Sequence, residues 1–120
     1  MTNNTFRPAD ILEAQNHAAE QTQKARKAVR AVLASAAYLL IAADELALVS
    51  RGAREACLPA FCEQARKVRD ELATAATLLD RADPLGDSDL SVDHEGMVFA
   101  RSDYHAALCA LGIDALSLAA

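Results

Sequence analysis

The sequence predicts an all-α protein: a long helical hairpin followed by a short third helix, bundle-like and completed by dimerisation. Three observations support this fold class. The chain of 120 residues is the size of a single domain. It is rich in Ala and Leu, with four Gly, three Pro, no Trp and only 4% aromatic residues, and so lacks the β-branched and aromatic surplus of a sheet. Its apolar residues also recur at the three- and four-residue spacing of helices. We therefore expect one helical domain over residues 9–120 after a flexible N-terminal tail at residues 1–8.

The first helix is predicted over about residues 9–51. Pro8 precedes it, Asp10 lies in its first turn, and no Gly or Pro follows until Gly52, which is expected to end the helix in a left-handed conformation. Such a helix is roughly 64 Å long. One apolar stripe runs along its second half: Val29, Val32, Leu33, Ala36, Leu39, Leu40, Ala43, Leu46 and Ala47.

The second helix is predicted over about residues 59–82. Pro59 is suited to a first helical turn, and Asp83 with Pro84 stops the helix. Two sets of apolar residues at seven-residue spacing define its buried side: Leu58, Ala65, Leu72 and Leu79, with Phe61, Val68, Ala75 and Ala82.

Residues 83–101 have a different character. Between Asp80 and Asp103, seven acids against two arginines account for the whole net charge of −5. Residues 90–92 and 97–100 have the composition of two short strands, so we expect either an acidic loop or a small β-hairpin here.

The third helix is predicted over about residues 102–112. Ser102 is a suitable N-cap, and Gly112 followed by Ile113 is typical of a Schellman motif. Residues 114–120 are expected to form one more apolar turn.

The first helix is apolar on a second side too, and it exceeds the second helix in length. The second apolar side consists of Ala34, Tyr38, Ile41, Leu48 and Val49. A helix that is apolar all round must be buried all round, and the second helix covers only one side. Three arrangements remain open. The third helix and C-terminal tail cover this side, a second copy completes a four-helix bundle through it, or a different protein docks there.

Charge and hydropathy bear on partners. A pI of 5.1 argues against nucleic-acid binding. The basic cluster Lys24, Arg26, Lys27 and Arg30 nevertheless leaves a nucleic-acid-binding helical bundle as an alternative to a solvated helix face. The start of the sequence has no apolar stretch typical of a secretory signal. The nearly apolar run at residues 31–43 is shorter than the roughly 20 residues that cross a bilayer. We therefore expect a cytoplasmic protein that is not in a membrane.

The candidates for chemistry are few. Cys57, Cys62, His105 and Cys109 could supply a zinc site, which is the leading alternative function, although their spacing favours ordinary packed cysteines. The sequence contains no glycine-rich phosphate loop and no catalytic motif, so we expect neither an enzyme nor a cofactor.

Together these observations predict a non-enzymatic protein–protein interaction module. It would be a small cytoplasmic adaptor, inhibitor or accessory regulator that forms a homodimer through its first helix. Four acids of the 83–101 segment are expected to orient an unidentified protein partner electrostatically: Asp87, Asp89, Asp93 and Glu95.

Overall fold

In a computed structural model of the chain, which describes residues 6–86 and 88–118, three long helices run up, down and up beside one another. The elements are α1 (Pro8–Leu48), α2 (Arg51–Ala82), a 3-10 turn (Ser88–Leu90), α3 (Ser91–Ala110) and α4 (Ala115–Leu118). The described residues contain no strand, and α1 packs against both α2 and α3. The all-α, bundle-like fold is therefore confirmed. Of the expected tail, residues 1–5 lie outside the described residues, and Pro8 already belongs to α1.

The turn between α1 and α2 is tighter than predicted. Ser50 caps α2, because its hydroxyl oxygen accepts a hydrogen bond from the Ala53 N–H at 3.3 Å. Gly52 is consequently inside α2 and does not end α1. Pro59 is also inside α2, not in its first turn. Its ring removes the hydrogen bond that a residue at this position would donate to the carbonyl of Glu55.

Arg54 holds the hairpin closed. Its Nε donates to the Leu46 carbonyl at 3.1 Å, and its Nη2 donates to the Ala47 carbonyl at 3.0 Å. These carbonyls belong to the last turn of α1 and have no partner within that helix. A guanidinium from α2 therefore satisfies the end of α1 and favours this tight connection.

The core is built largely from alanine. The predicted stripes of α1 and α2 are buried or half-buried except for Ala47, which is exposed, and Leu39 and Leu79 are among the largest fully enclosed side chains. Seven core alanines have no exposed surface: Ala25, Ala36, Ala43, Ala65, Ala75, Ala100 and Ala107. Small side chains at these contacts let three helix backbones approach one another closely.

The expectation of a loop or hairpin at residues 83–101 is wrong over most of that segment, because α3 begins at Ser91 and not near Ser102. Gly96, which suggested a turn, lies at the contact between α3 and α1. A Cβ at this position would come within 3.2 Å of Leu33 Cδ1 and Val29 Cγ1. The glycine therefore serves close helix packing, which local sequence preferences do not reveal.

The end of α3 agrees with the prediction. The Gly112 N–H donates to the Cys109 carbonyl at 3.1 Å and the Ile113 N–H to the Leu108 carbonyl at 2.9 Å, as in a Schellman motif. Gly112 has φ = 67°, where a side chain would be strained. The expected further turn is α4, and its buried Leu118 packs on α2.

The first part of α1 extends beyond the other helices. All side chains from Ile11 to Glu20 are exposed, and the first buried residue of α1 is Ala25. The first helix is therefore longer than the second, as predicted, although α2 starts at Arg51 and the difference is smaller than expected.

Candidate interaction surface

The strongest candidate site is the surface of α1 opposite its buried stripe, which we call the outer face. Its residues are all exposed: Lys27, Arg30, Ala31, Ala34, Tyr38, Ile41, Asp44, Glu45 and Leu48. Ala34, Ile41 and Leu48 are seven residues apart and follow one line along the helix, and Ala31, Tyr38 and Glu45 follow the neighbouring line. The two lines together have the spacing of a helix–helix contact.

Three large apolar side chains dominate the outer face. Tyr38 is 62% exposed, Ile41 57% and Leu48 88%. Single exposed apolar residues are ordinary on a protein surface, whereas a row of them on one helix makes this face a candidate interaction site.

The outer face is uncovered because both neighbouring helices lie on the other side of α1. On the flank towards α2, Ala42 and Leu46 face Phe61 across a recess of about 310 Å³. On the flank towards α3, Val29 and Leu33 contact Gly96. The described C-terminal residues pack on α2. The interpretation in which the third helix and tail cover this side of α1 is therefore wrong for the described chain.

Val49 differs from the other four residues predicted for this surface. It is the C-cap of α1, is 40% exposed, and lines the recess towards α2. The structure thus brings Ala34, Tyr38, Ile41 and Leu48 onto one face and places Val49 beside it.

Charges of opposite sign occupy the two ends of the outer face. Lys27 and Arg30 lie towards the N-terminal end, and Asp44 and Glu45 lie towards the C-terminal end. Lys27 and Glu45 are 18 positions apart in the sequence, which corresponds to about 27 Å of helix. An apolar centre therefore lies between a basic end and an acidic end.

Two exposed residues of α3 extend the apolar surface and were missed by the sequence analysis. Val92 is 73% exposed and Phe99 65%. Relative to Gly96, which touches α1, both lie on the flank of α3 away from its buried Met97. Val92, Phe99 and Ala106 are seven residues apart, a spacing that predicts one face of a helix. This spacing was overlooked because the segment was expected to form a loop or hairpin.

The four acids do not form one partner-facing set. Asp93 is half-buried and accepts from Arg26, with 3.2 Å between Oδ2 and Nε. Arg26 Nη2 also donates to the backbone carbonyl of Asp89 at 3.0 Å. Asp89 and Glu95 are exposed, and Asp87 lies outside the described residues. Asp93 therefore helps to hold α3 against α1, while the electrostatic role expected of the four acids towards a partner stays a prediction.

The residues of the two alternative functions are also dispersed. Cys57 and Cys109 are exposed, on α2 and α3 respectively, and Cys62 is half-buried beside the core. In the part of the chain that the structure describes, no group of three or more His, Cys, Asp or Glu side chains is arranged to hold a metal ion. In the basic cluster, Arg26 is engaged with Asp93, which leaves exposed Lys24, Lys27 and Arg30.

The hydropathy of α1 exceeds what the 13-residue apolar run indicated. An 18-residue window of α1 has a mean hydropathy of 1.7, and only 22% of it is buried. By length and composition alone, α1 is able to cross a membrane. The core helices of proteins in water meet the same criterion, and a membrane around this bundle would also surround α2.

Comparisons with protein-family models, with curated proteins and with solved structures give no match. The candidate surface is accordingly defined by the geometry of this chain: an exposed apolar row on α1, flanked by α3 and bounded by opposite charges.

Proposed function

We propose that this protein is a non-enzymatic interaction module that self-associates through the outer face of α1. The observation that carries the proposal is the aligned exposure of Tyr38, Ile41 and Leu48 on a helix whose opposite side is buried from Ala25 to Ala43. Removing such side chains from water stabilises an assembly by about 1.5–3 kcal/mol for each one that is fully buried. The role that suits a small module of this kind is that of an adaptor, inhibitor or accessory regulator.

A second copy of the chain is the occupant that the outer face suits best. A binding site for a strongly charged partner would carry charge of one sign, whereas this face carries two cations and two anions around an apolar centre. A two-fold interface uses the same patch on both subunits and must therefore be complementary to itself. A face with both signs of charge meets that condition.

Membrane insertion is the competing explanation for the apolar surface, and the charges on α2 argue against it. Lys67, Asp70 and Glu71 are exposed on α2, which packs along α1. Placing the folded bundle in hydrocarbon would bury these charges at a cost of several kcal/mol. Self-association covers the outer face and leaves α2 in water.

The test is the oligomeric state, measured by sedimentation velocity from about 1 to about 200 µM, the range that reports a micromolar Kd. We expect a monomer–dimer equilibrium for the natural sequence and a monomer for the Tyr38→Glu/Ile41→Glu variant, because charge at these positions cannot be buried unpaired. The control is Ala73→Glu/Thr74→Glu, which adds the same charge to exposed positions of α2 and should leave the dimer intact.

Two results would overturn this proposal. One is a natural protein that remains monomeric at the highest concentration. The other is a dimer that the Tyr38→Glu/Ile41→Glu variant still forms. Co-sedimentation with neutral or anionic vesicles, lost in the same variant, would instead favour the membrane. Circular dichroism confirms that each variant keeps its helices.

A further inference from the structure

We propose that the two outer faces pack antiparallel, with the basic end of each α1 beside the acidic end of the other. This inference rests on the proposed self-association and adds its orientation and register. It follows from the positions of Lys27, Arg30, Asp44 and Glu45 at opposite ends of one exposed face.

The spacing of the outer face restricts the register to a few possibilities, and the sizes and charges of the facing side chains select one of them. One line of the face contains Lys27, Ala34, Ile41 and Leu48, and the neighbouring line contains Ala31, Tyr38 and Glu45. In an antiparallel helix pair, residues of one line face residues of the other line across the contact. If Tyr38 faces the partner's Ala34, the residue numbers of any two residues that face each other add up to 72, and this sum defines the register.

This register matches large side chains with small ones. Tyr38 lies against the partner's Ala34, and Ile41 lies against the partner's Ala31. Each pair occurs twice because of the two-fold symmetry. Alternation of large and small residues is how facing helices fill the space between them without voids.

The same register pairs opposite charges. Glu45 faces the partner's Lys27 at the ends of the contact, and Arg30 lies near the partner's Asp44 on the flank towards α3. The symmetry produces four interchain ion pairs. A parallel pair would place Lys27 beside the partner's Lys27 and Glu45 beside the partner's Glu45, so repulsion disfavours it.

The flank of α3 enlarges the contact. From Lys27 to Leu48 the outer face is about 33 Å long and about 10 Å wide, or about 330 Å². A stable interface buries about 800 Å² on each partner. The exposed side chains of Val92 and Phe99 lie on the flank of this strip and add apolar area there. Residues before Lys24 have no α1 counterpart in this register, so the exposed N-terminal part of α1 projects past the contact.

Charge exchange tests the orientation by sedimentation velocity. Lys27→Glu/Arg30→Glu and Asp44→Lys/Glu45→Lys each place like charges together in the antiparallel pair, and we expect each double variant to raise the dimer Kd by about tenfold or more. The quadruple variant carrying both sets of changes restores every opposite-charge pair, so its Kd should return to within about threefold of the natural value.

A parallel dimer behaves differently in the same experiment. In a parallel dimer, each double variant replaces facing residues of like charge with facing residues that again have like charge, of the opposite sign. The repulsion is unchanged, so the dimer Kd of the double variants would match that of the natural protein. Double variants without effect, or a quadruple variant weaker than either double variant, would overturn the antiparallel orientation while leaving self-association intact. A monomeric natural protein would instead overturn the proposed function itself.

Cross-linking gives a second, independent readout of orientation. In a Cys57→Ser/Cys62→Ala/Cys109→Ser background, Ala37→Cys lies next to the two-fold axis, whereas two copies of Leu48→Cys lie about 36 Å apart along the helices. A bis-maleimide with a short spacer should join the first variant into a covalent dimer and leave the second uncross-linked. Efficient cross-linking through Leu48→Cys would show a parallel pair and overturn the inference.

Discussion

The outer face of α1 and the opposite, inner face are both apolar, yet only the inner face, which contains the buried residues from Ala25 to Ala43, is covered by the rest of the chain. Leu39 has no exposed surface, whereas its neighbours Tyr38 and Ile41 are 62% and 57% exposed. Hydropathy alone does not separate these positions, because all three are large apolar residues in the same stretch of helix. The separation comes from the placement of α2 and α3 on one side of α1. The sequence therefore shows how much surface must be covered, while the tertiary arrangement decides which part the chain covers itself.

Truncating one residue on each face makes the comparison quantitative. Leu39→Ala leaves a cavity in the core and should lower the free energy of unfolding by about 2–5 kcal/mol. Ile41→Ala removes a similar volume from the outer face and should change the unfolding free energy of the monomer by less than about 0.5 kcal/mol. Urea denaturation at sub-micromolar concentration, where the dimer contributes little, measures both values. Equal losses in the two variants would mean that Ile41 is covered within the monomer.

The next largest expected effect on stability concerns the contact between α3 and α1 at Gly96. Gly96→Leu puts a large side chain where a Cβ alone would already be 3.2 Å from Leu33 and Val29. We expect the unfolding free energy to fall by about 1–3 kcal/mol, because the two helices must separate.

Gly96→Ala is the matched control for this contact. Its methyl group meets only the ends of two side chains that can shift slightly, and alanine improves helix propensity by about 1 kcal/mol over glycine. The alanine variant should therefore lie within about 1 kcal/mol of the natural protein. A leucine variant as stable as the alanine variant would show that α3 does not pack closely on α1 at this position.

The difference between residues 59–82 and residues 83–101 explains what sequence reasoning could and could not predict. In α2, the buried residues Phe61, Val68 and Leu79 repeat at helical spacing with no competing signal, and the predicted stripe is the observed one. In residues 83–101, a glycine such as Gly96 is compatible either with a turn or with a close contact between two helices, and the two interpretations predict different structures. Only the position of α1 decides between them.

The candidate surface shows the same limit. Ala34, Tyr38, Ile41 and Leu48 were predicted from the excess apolar surface of one helix, which is a local property of the sequence. Phe99 was missed because its environment depends on α3, an element that was not predicted at that position. The inward position of Asp93 was missed as well, since its partner Arg26 lies 67 residues away in the chain.

The smallest of the expected effects compares the tyrosine of the inner side with that of the outer face. Tyr104 on α3 is buried, and this burial raises its pKa above the ordinary value of 10.0, while nearby Arg69 acts in the opposite direction. The folded protein therefore retains the Tyr104 proton at a pH where the unfolded chain has released it. It follows that the free energy of unfolding is unaffected well below pH 10.0 and falls as the pH rises through this value and towards the raised pKa.

Urea denaturation from about pH 8 to about pH 11 measures this fall in stability. In Tyr104→Phe no hydroxyl ionises at that position, so its stability should fall less steeply over the same interval. Tyr38→Phe is the matched control, because it makes the same change on the outer face and keeps the contribution of Tyr104. If Tyr104→Phe loses stability as steeply as the natural protein does, the hydroxyl of Tyr104 is in contact with water, and the contrast between the two sides of the molecule is smaller than the structure shows.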